Sequence, residues 1–240
     1  MEPYSLVKSI RLHLLPGFLV IALYVVLAPI LNNYGYPSLL ALLLAAFLGI
    51  VPLELGHLLH KGHQLNGRIS LKGVVGPTER IPTLKFILLL AGALLALILI
   101  GGISLTVEAS IKSTLFSWLP DWYFFDTNFG SYSRESLILT AWVRLVLDGI
   151  VFPITEELYF RGFLFDRLPG TLRNKWLLGA ILFAVYHFWQ PWNYLSIFFI
   201  SIVLIWPTAK FRNVYLSIAI HMLANIIGAL LFFGQILQRS

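Results

Sequence analysis

Three nearly unbroken apolar runs, Gly17 to Leu31, Leu39 to Leu53 and Phe86 to Ile103, leave this chain few ways to fold. A backbone surrounded by hydrocarbon has no water to bond, so such runs read as helices that satisfy their own amides while crossing a bilayer. Charge is correspondingly scarce. Of the 240 residues, 12% are charged and 58% apolar, against about 25% and about 45–50% in a soluble domain. The expected fold class is all-α: a polytopic membrane protein forming one integral membrane domain over residues 1–240. Disorder, coiled coil and secreted scaffolds are excluded. With no cysteine in the chain, disulfides, thiolate zinc sites and a cysteine nucleophile are excluded too. The first run is followed by further spans and has no small-x-small site at its end, so it reads as a span rather than a cleaved signal peptide.

A span needs about 20 apolar residues. The pattern predicts about seven, near Leu14 to Leu31, Ser38 to Leu59, Leu84 to Val107, Ser136 to Phe165, Trp176 to Trp189, Tyr194 to Trp206 and Val214 to Ile236. The fourth is treated as one long span bent at Pro153, whose ring removes a backbone donor. With the N-terminus cytosolic, twelve basic residues fall inside: Lys8, Arg11, Lys61, Arg68, Lys72, Arg80, Lys85, Arg167, Arg173, Lys175, Lys210 and Arg212. Only Lys112, Arg134 and Arg239 fall outside, as the positive-inside rule requires. The location expected is a multi-pass integral membrane protein, of the cell membrane if the source is prokaryotic. The connection carrying Phe116, Trp118, Trp122, Tyr123, Phe124, Phe125, Phe129 and Tyr132 reads as an aromatic belt in the headgroups. The basic, glycine-rich loop from His60 to Pro82 reads as a contact for anionic lipid. There is no internal repeat of the kind many transporters carry.

Ionisable groups inside spans mark functional sites by default. Here they gather late in the chain: Arg144, Asp148, Glu156, Glu157 and Arg161 in span four, His187 in span five, and His221 and Asn225 in span seven. Arg144 with Asp148, and Glu157 with Arg161, stand four apart and suit neutralising ion pairs. Glu156 turns about 100° away from Glu157 on a helix, and is left to find another partner. Glu54, beside Pro52, and the triplet His57, His60 and His63 lie in the first half, the histidines reading as interfacial groups rather than ligands. Counted from the nearest cytosolic basic residue, Glu156 lies 11 positions in, His187 12, His221 9 and Asn225 13. At 1.5 Å each these depths are roughly 13–20 Å, so groups from three spans share one level, with His221 and Asn225 on one helical face.

A carboxylate, two imidazoles and an amide held below the membrane surface suit the activation of water, or alternatively hydrogen-bonded packing or proton transport. The H-E-x-x-H, G-x-S-G and G-x-G-D signatures of other intramembrane proteases are absent from the sequence. Glu156-Glu157-Leu158-Tyr159-Phe160-Arg161 matches E-E-x-x-x-R, Phe183 to His187 matches F-x-x-x-H, and His221 to Asn225 matches H-x-x-x-N, in that order. Over Leu137 to Leu231 the chain thus resembles the CAAX protease and bacteriocin-processing family (CPBP, or Abi), with its type II CAAX prenyl endopeptidases. The resemblance implies a conical intramembrane active site and a catalytic core over 137–231. It implies Glu156 as general base with His187 as its partner, His221 and Asn225 as oxyanion or water ligands, and Glu157, Arg161 and Phe183 in support. Family members have been described as metalloendopeptidases, and Glu156, His187 and His221 would be the zinc ligands. A direct glutamate and histidine mechanism needs no cofactor and is preferred. The substrate implied is a peptide or protein, prenylated at a C-terminal cysteine in the CAAX case, reached through membrane lipid at a site open to the cytosolic leaflet. Nucleic acid has no place in this reading. The alternative is a non-enzymatic transporter or immunity scaffold.

Overall fold

A computed structural model of the chain describes residues 2–127 and 129–238. Arg239, counted above among the outer basic residues, lies outside them. The described residues form helices with no strand, arranged as seven main elements: α1 (Leu6–Asn33), α2 (Ser38–Asn66), α3 (Thr83–Leu115), α4 (Arg134–Arg167), α5 (Leu172–Tyr186), α6 (Tyr194–Phe211) and α7 (Val214–Leu237). The fold is that of an all-α polytopic membrane protein. Six of these helices are long and apolar enough to cross a bilayer. The remaining expected span, α5, is the short one. Its 15 residues reach about 22 Å at 1.5 Å each, short of a hydrocarbon core of about 30 Å.

The basic end of the bundle is stitched by main-chain bonds: Tyr4 N–H donates to Arg167 O, Gly76 N–H to Gly162 O and Val214 N–H to Pro77 O. The loop after α2 is therefore bound to protein there as well as exposed. At the opposite end the aromatic connection departs from a simple belt. Trp118 is exposed, yet Tyr123 and Trp192 are buried. The Tyr24 hydroxyl contacts the carbonyls of Trp122 and Tyr123, and Tyr123 donates to Phe188 O. Phe116, Phe124 and Phe125 pack around Trp192. The segment caps the turn between α5 and α6, because its rings find more contact on the bundle than in headgroups.

Packing follows side-chain size. α1 lies along α2 and α5, with α7 against α4, α6 and α3. α3 is peripheral: only 6% of its most apolar stretch is buried, and Leu88, Ile98 and Ile103 face outward, as lipid-facing leucines and isoleucines do. α1 and α5 cross at Gly17, where an added methyl would run into the carbonyl oxygen and ring of Tyr186. Small residues let membrane helices approach this closely. Gly17→Ala is expected to destabilise the bundle by about 1–3 kcal/mol, the usual cost of overpacking. Thermal unfolding of the purified variant in detergent measures it, and an unchanged melting temperature would refute this reading of the crossing.

Candidate active site

Local backbone irregularity aims the polar residues inward. α2 and α4 widen from α-type into π-type turns at Val51–Leu55, Leu147–Val151 and Glu157–Leu164. These turns carry Glu54, Asp148, and the pair Glu157 and Arg161, and π-type turns occur often at functional sites. Span four is one continuous helical run, with widened turns on either side of Pro153. In the second turn Phe152 N–H bonds to Leu147 O. The next bond in that register would run from residue 153 to Asp148 O, but proline has no N–H to give. Asn225 takes the freed carbonyl instead, with Nδ2 2.9 Å from Asp148 O and 3.2 Å from Asp148 Oδ1. Asp148 also receives Arg144 Nε at 3.2 Å, the expected ion pair.

Glu156, Glu157 and Arg161 are all buried. Arg161 Nη1 lies 3.1 Å from Glu157 Oε1 in an ion pair off the line of a hydrogen bond. Its Nη2 donates to Ser201 Oγ at 2.9 Å, and its guanidinium lies 3.9 Å from the centre of the Phe183 ring. One cation therefore ties α4 to α5 and α6. Glu157 Oε1 also accepts from His221 Nδ1 at 2.9 Å, which leaves His221 Nε2 3.9 Å from Glu156 Oε2. The partner left open for Glu156 is a residue that sequence reasoning missed: Tyr186, whose hydroxyl donates to Glu156 Oε1 at 3.1 Å. Its signal was a phenol within a span, which has to bond something.

His187 follows the last residue of α5. Its Nδ1 lies 2.8 Å from Phe183 O, and a carbonyl can only accept, so Nδ1 carries the hydrogen and the lone pair of the neutral ring sits on Nε2. The Phe183 ring packs edge-on against the imidazole at 4.9 Å. Phe183 thus orients His187 with its carbonyl and Arg161 with its face.

Glu156, His187, His221 and Asn225, with Arg144 and Asp148, line a single cavity of about 400 Å³. The structure brings all four together, although Glu156 and His187 share no direct bond among the described residues. Leu39, Leu42, Leu43, Ala46 and Ile50 of α2, with Ile197, Ile200 and Leu204 of α6, form an apolar wall. The cavity extends from Glu156 toward Phe125 and Gln190, that is, toward the aromatic end. Buried Leu58, Tyr159, Phe163 and Leu164 fill the basic side. Among the described residues no group of three or more His, Cys, Asp or Glu side chains is arranged to hold a metal ion; His221 spends Nδ1 on Glu157. His57 packs its ring on Tyr159 and Phe163, and His60 bonds Gln64.

Residues 138–227 match the family described as Type II CAAX prenyl endopeptidase Rce1-like. This segment, 90 of the 240 residues, is similar to that family. It holds every motif position named above. UPF0177 protein YxdF of Lactococcus lactis subsp. lactis (strain IL1403) is 32% identical over 83 residues, which are 33% of this chain and 45% of that protein. The chain thus spans about half the length of this curated relative. No solved structure matches the chain. Over this segment the chain is similar to CAAX prenyl endopeptidases, and its six long apolar helices are those of a multi-pass membrane protein.

Proposed function

We propose that the chain is an intramembrane endopeptidase that hydrolyses a peptide bond with glutamate-activated water, its catalytic core lying in 137–231. One observation carries the reading: Glu156, His187, His221 and Asn225 line one cavity inside the Rce1-like segment. Water held between Glu156 Oε2 and His187 Nε2 gives a proton to the carboxylate as its oxygen attacks the scissile carbonyl carbon. His221, as an imidazolium with Nδ1–H on Glu157, donates from Nε2 to the oxyanion. Asn225 supplies a second donor by turning one N–H away from Asp148 Oδ1, the longer of its two contacts. When the C–N bond breaks, Glu156 passes its proton to the leaving amine. The apolar wall accepts a hydrophobic part of the substrate, a prenyl group or an apolar side chain. With the basic end in the cytosol, the cavity is reached from the opposite side or laterally from lipid.

The test is cleavage of prenylated and unprenylated peptides by purified protein, with and without chelator, alongside His221→Ala and Asn225→Ala. Turnover is expected to survive chelation and to fall roughly 10²- to 10³-fold in each variant, the typical cost of a lost oxyanion donor. Failure to cut any peptide would favour the transporter or scaffold reading. A stoichiometric metal lost only with His221→Ala would replace the metal-free mechanism.

A further inference from the structure

Glu54 is the least explained polar group in the protein. It is fully buried, and neither carboxyl oxygen has a hydrogen-bond partner. A carboxylate left so would cost several kcal/mol or more, which is why buried polar groups are almost always bonded. Its turn, Val51–Leu55, packs against the Phe152–Glu156 segment of α4. Its polar neighbours are Glu156, Tyr186, Arg161, Glu157 and Tyr159. Three carboxyl groups thus lie within electrostatic reach of one guanidinium, and Glu157 holds it in an ion pair. Among the described residues Glu54 has no ion-pair partner, and a buried carboxyl without one is accommodated at least cost as an acid that donates its hydrogen to a neighbour.

Tyr186 fixes what that acid can do. The phenol has one hydrogen, given to Glu156 Oε1, and lone pairs that can accept. A neutral Glu54 can bond the phenol only by donating to it. We propose that Glu54 and Tyr186 are positioning residues of the site: the Glu54 acid donates to the Tyr186 hydroxyl, which donates to Glu156 Oε1 and leaves Oε2 aimed at the cavity. Tyr186 and Glu54 are already interacting neighbours, and this bond would give the buried Glu54 oxygens the partner they lack. Chains of this kind polarise each member, so the second bond is stronger than an isolated phenol would give. The π-type turn at Pro52 acquires a purpose, since it rotates Glu54 inward where a regular helix would not. The proposal deepens the peptidase reading above and rests on it for its kinetic consequence.

The test uses the full chain in detergent and has two readouts. Infrared spectroscopy should show the C=O stretch of a protonated, buried carboxylic acid, lost in Glu54→Gln and shifted in Tyr186→Phe. Peptide cleavage should show Tyr186→Phe and Glu54→Ala each lowering kcat about tenfold with KM unchanged. The double variant should fall no further, because both cut one chain. Glu54→Gln should recover most of the turnover lost in Glu54→Ala, its amide N–H replacing the acid O–H. Absence of the acid band overturns the proposal, as do additive losses or a Glu54→Gln variant as poor as Glu54→Ala. If the wild type cuts no peptide, the peptidase reading fails alone, and the infrared bands still decide the positioning chain.

Discussion

Glu156→Gln is expected to abolish peptide cleavage, a loss of roughly 10²- to 10⁴-fold, the range ascribed to a positioned general base. The amide keeps the size of the side chain and still accepts the Tyr186 hydroxyl bond now made to Oε1, so the fold is expected to hold. What it removes is the capacity of the second oxygen to take a proton from water. The measurement pairs single-turnover cleavage with thermal unfolding in detergent. Near-normal turnover in the variant would eliminate Glu156 as the base, and the search would move to the imidazoles that line the same cavity.

Glu157→Gln is expected to act differently, through the structure. Glu157 Oε1 is the shared partner of Arg161 and His221, and all of Glu157 is buried. Removing its charge leaves the Arg161 guanidinium, 2% exposed, without the carboxylate it pairs with. Breaking a buried pair from one side costs about 3–5 kcal/mol. Cleavage should fall as well, since His221 loses the anion that holds its ring in place and supports its positive charge. Thermal unfolding separates the two carboxylates: the melting temperature should drop sharply for Glu157→Gln and little for Glu156→Gln. Equal melting and equal rates would remove the division between a reacting carboxylate and a structural one.

Much of this was legible because hydrocarbon enforces simple bookkeeping. A helix period and a four-residue spacing were enough to anticipate the Arg144–Asp148 and Glu157–Arg161 pairs, both present in the structure. Depth counting placed Glu156, His187, His221 and Asn225 at one level, and they line one cavity. Spans five and six were placed on either side of the turn that the structure has between Tyr186 and Tyr194, and α5 is the shorter of the two helices. The aromatic connection was half read. Trp118 behaves as a headgroup anchor while Tyr123 is buried, and ring composition alone is the same for both outcomes.

Charge scarcity, apolar run length and the ordering of three short motifs determined, from the sequence by itself, that the chain is a helical membrane protein whose motif residues fall in the segment similar to the Rce1-like family. These are local properties, fixed by what a bilayer tolerates and by how far apart side chains sit on one helix. Tertiary structure alone decided the partners between helices. Tyr186 of α5 serves Glu156 of α4, Asn225 of α7 fills the bond that Pro153 vacates, and Glu54 of α2 comes to rest beside both carboxylates. Such pairings depend on the crossing at Gly17 and on the π-type turns that rotate each polar group inward. A widened turn changes which face a residue occupies, and no regular helical period in the sequence announces it.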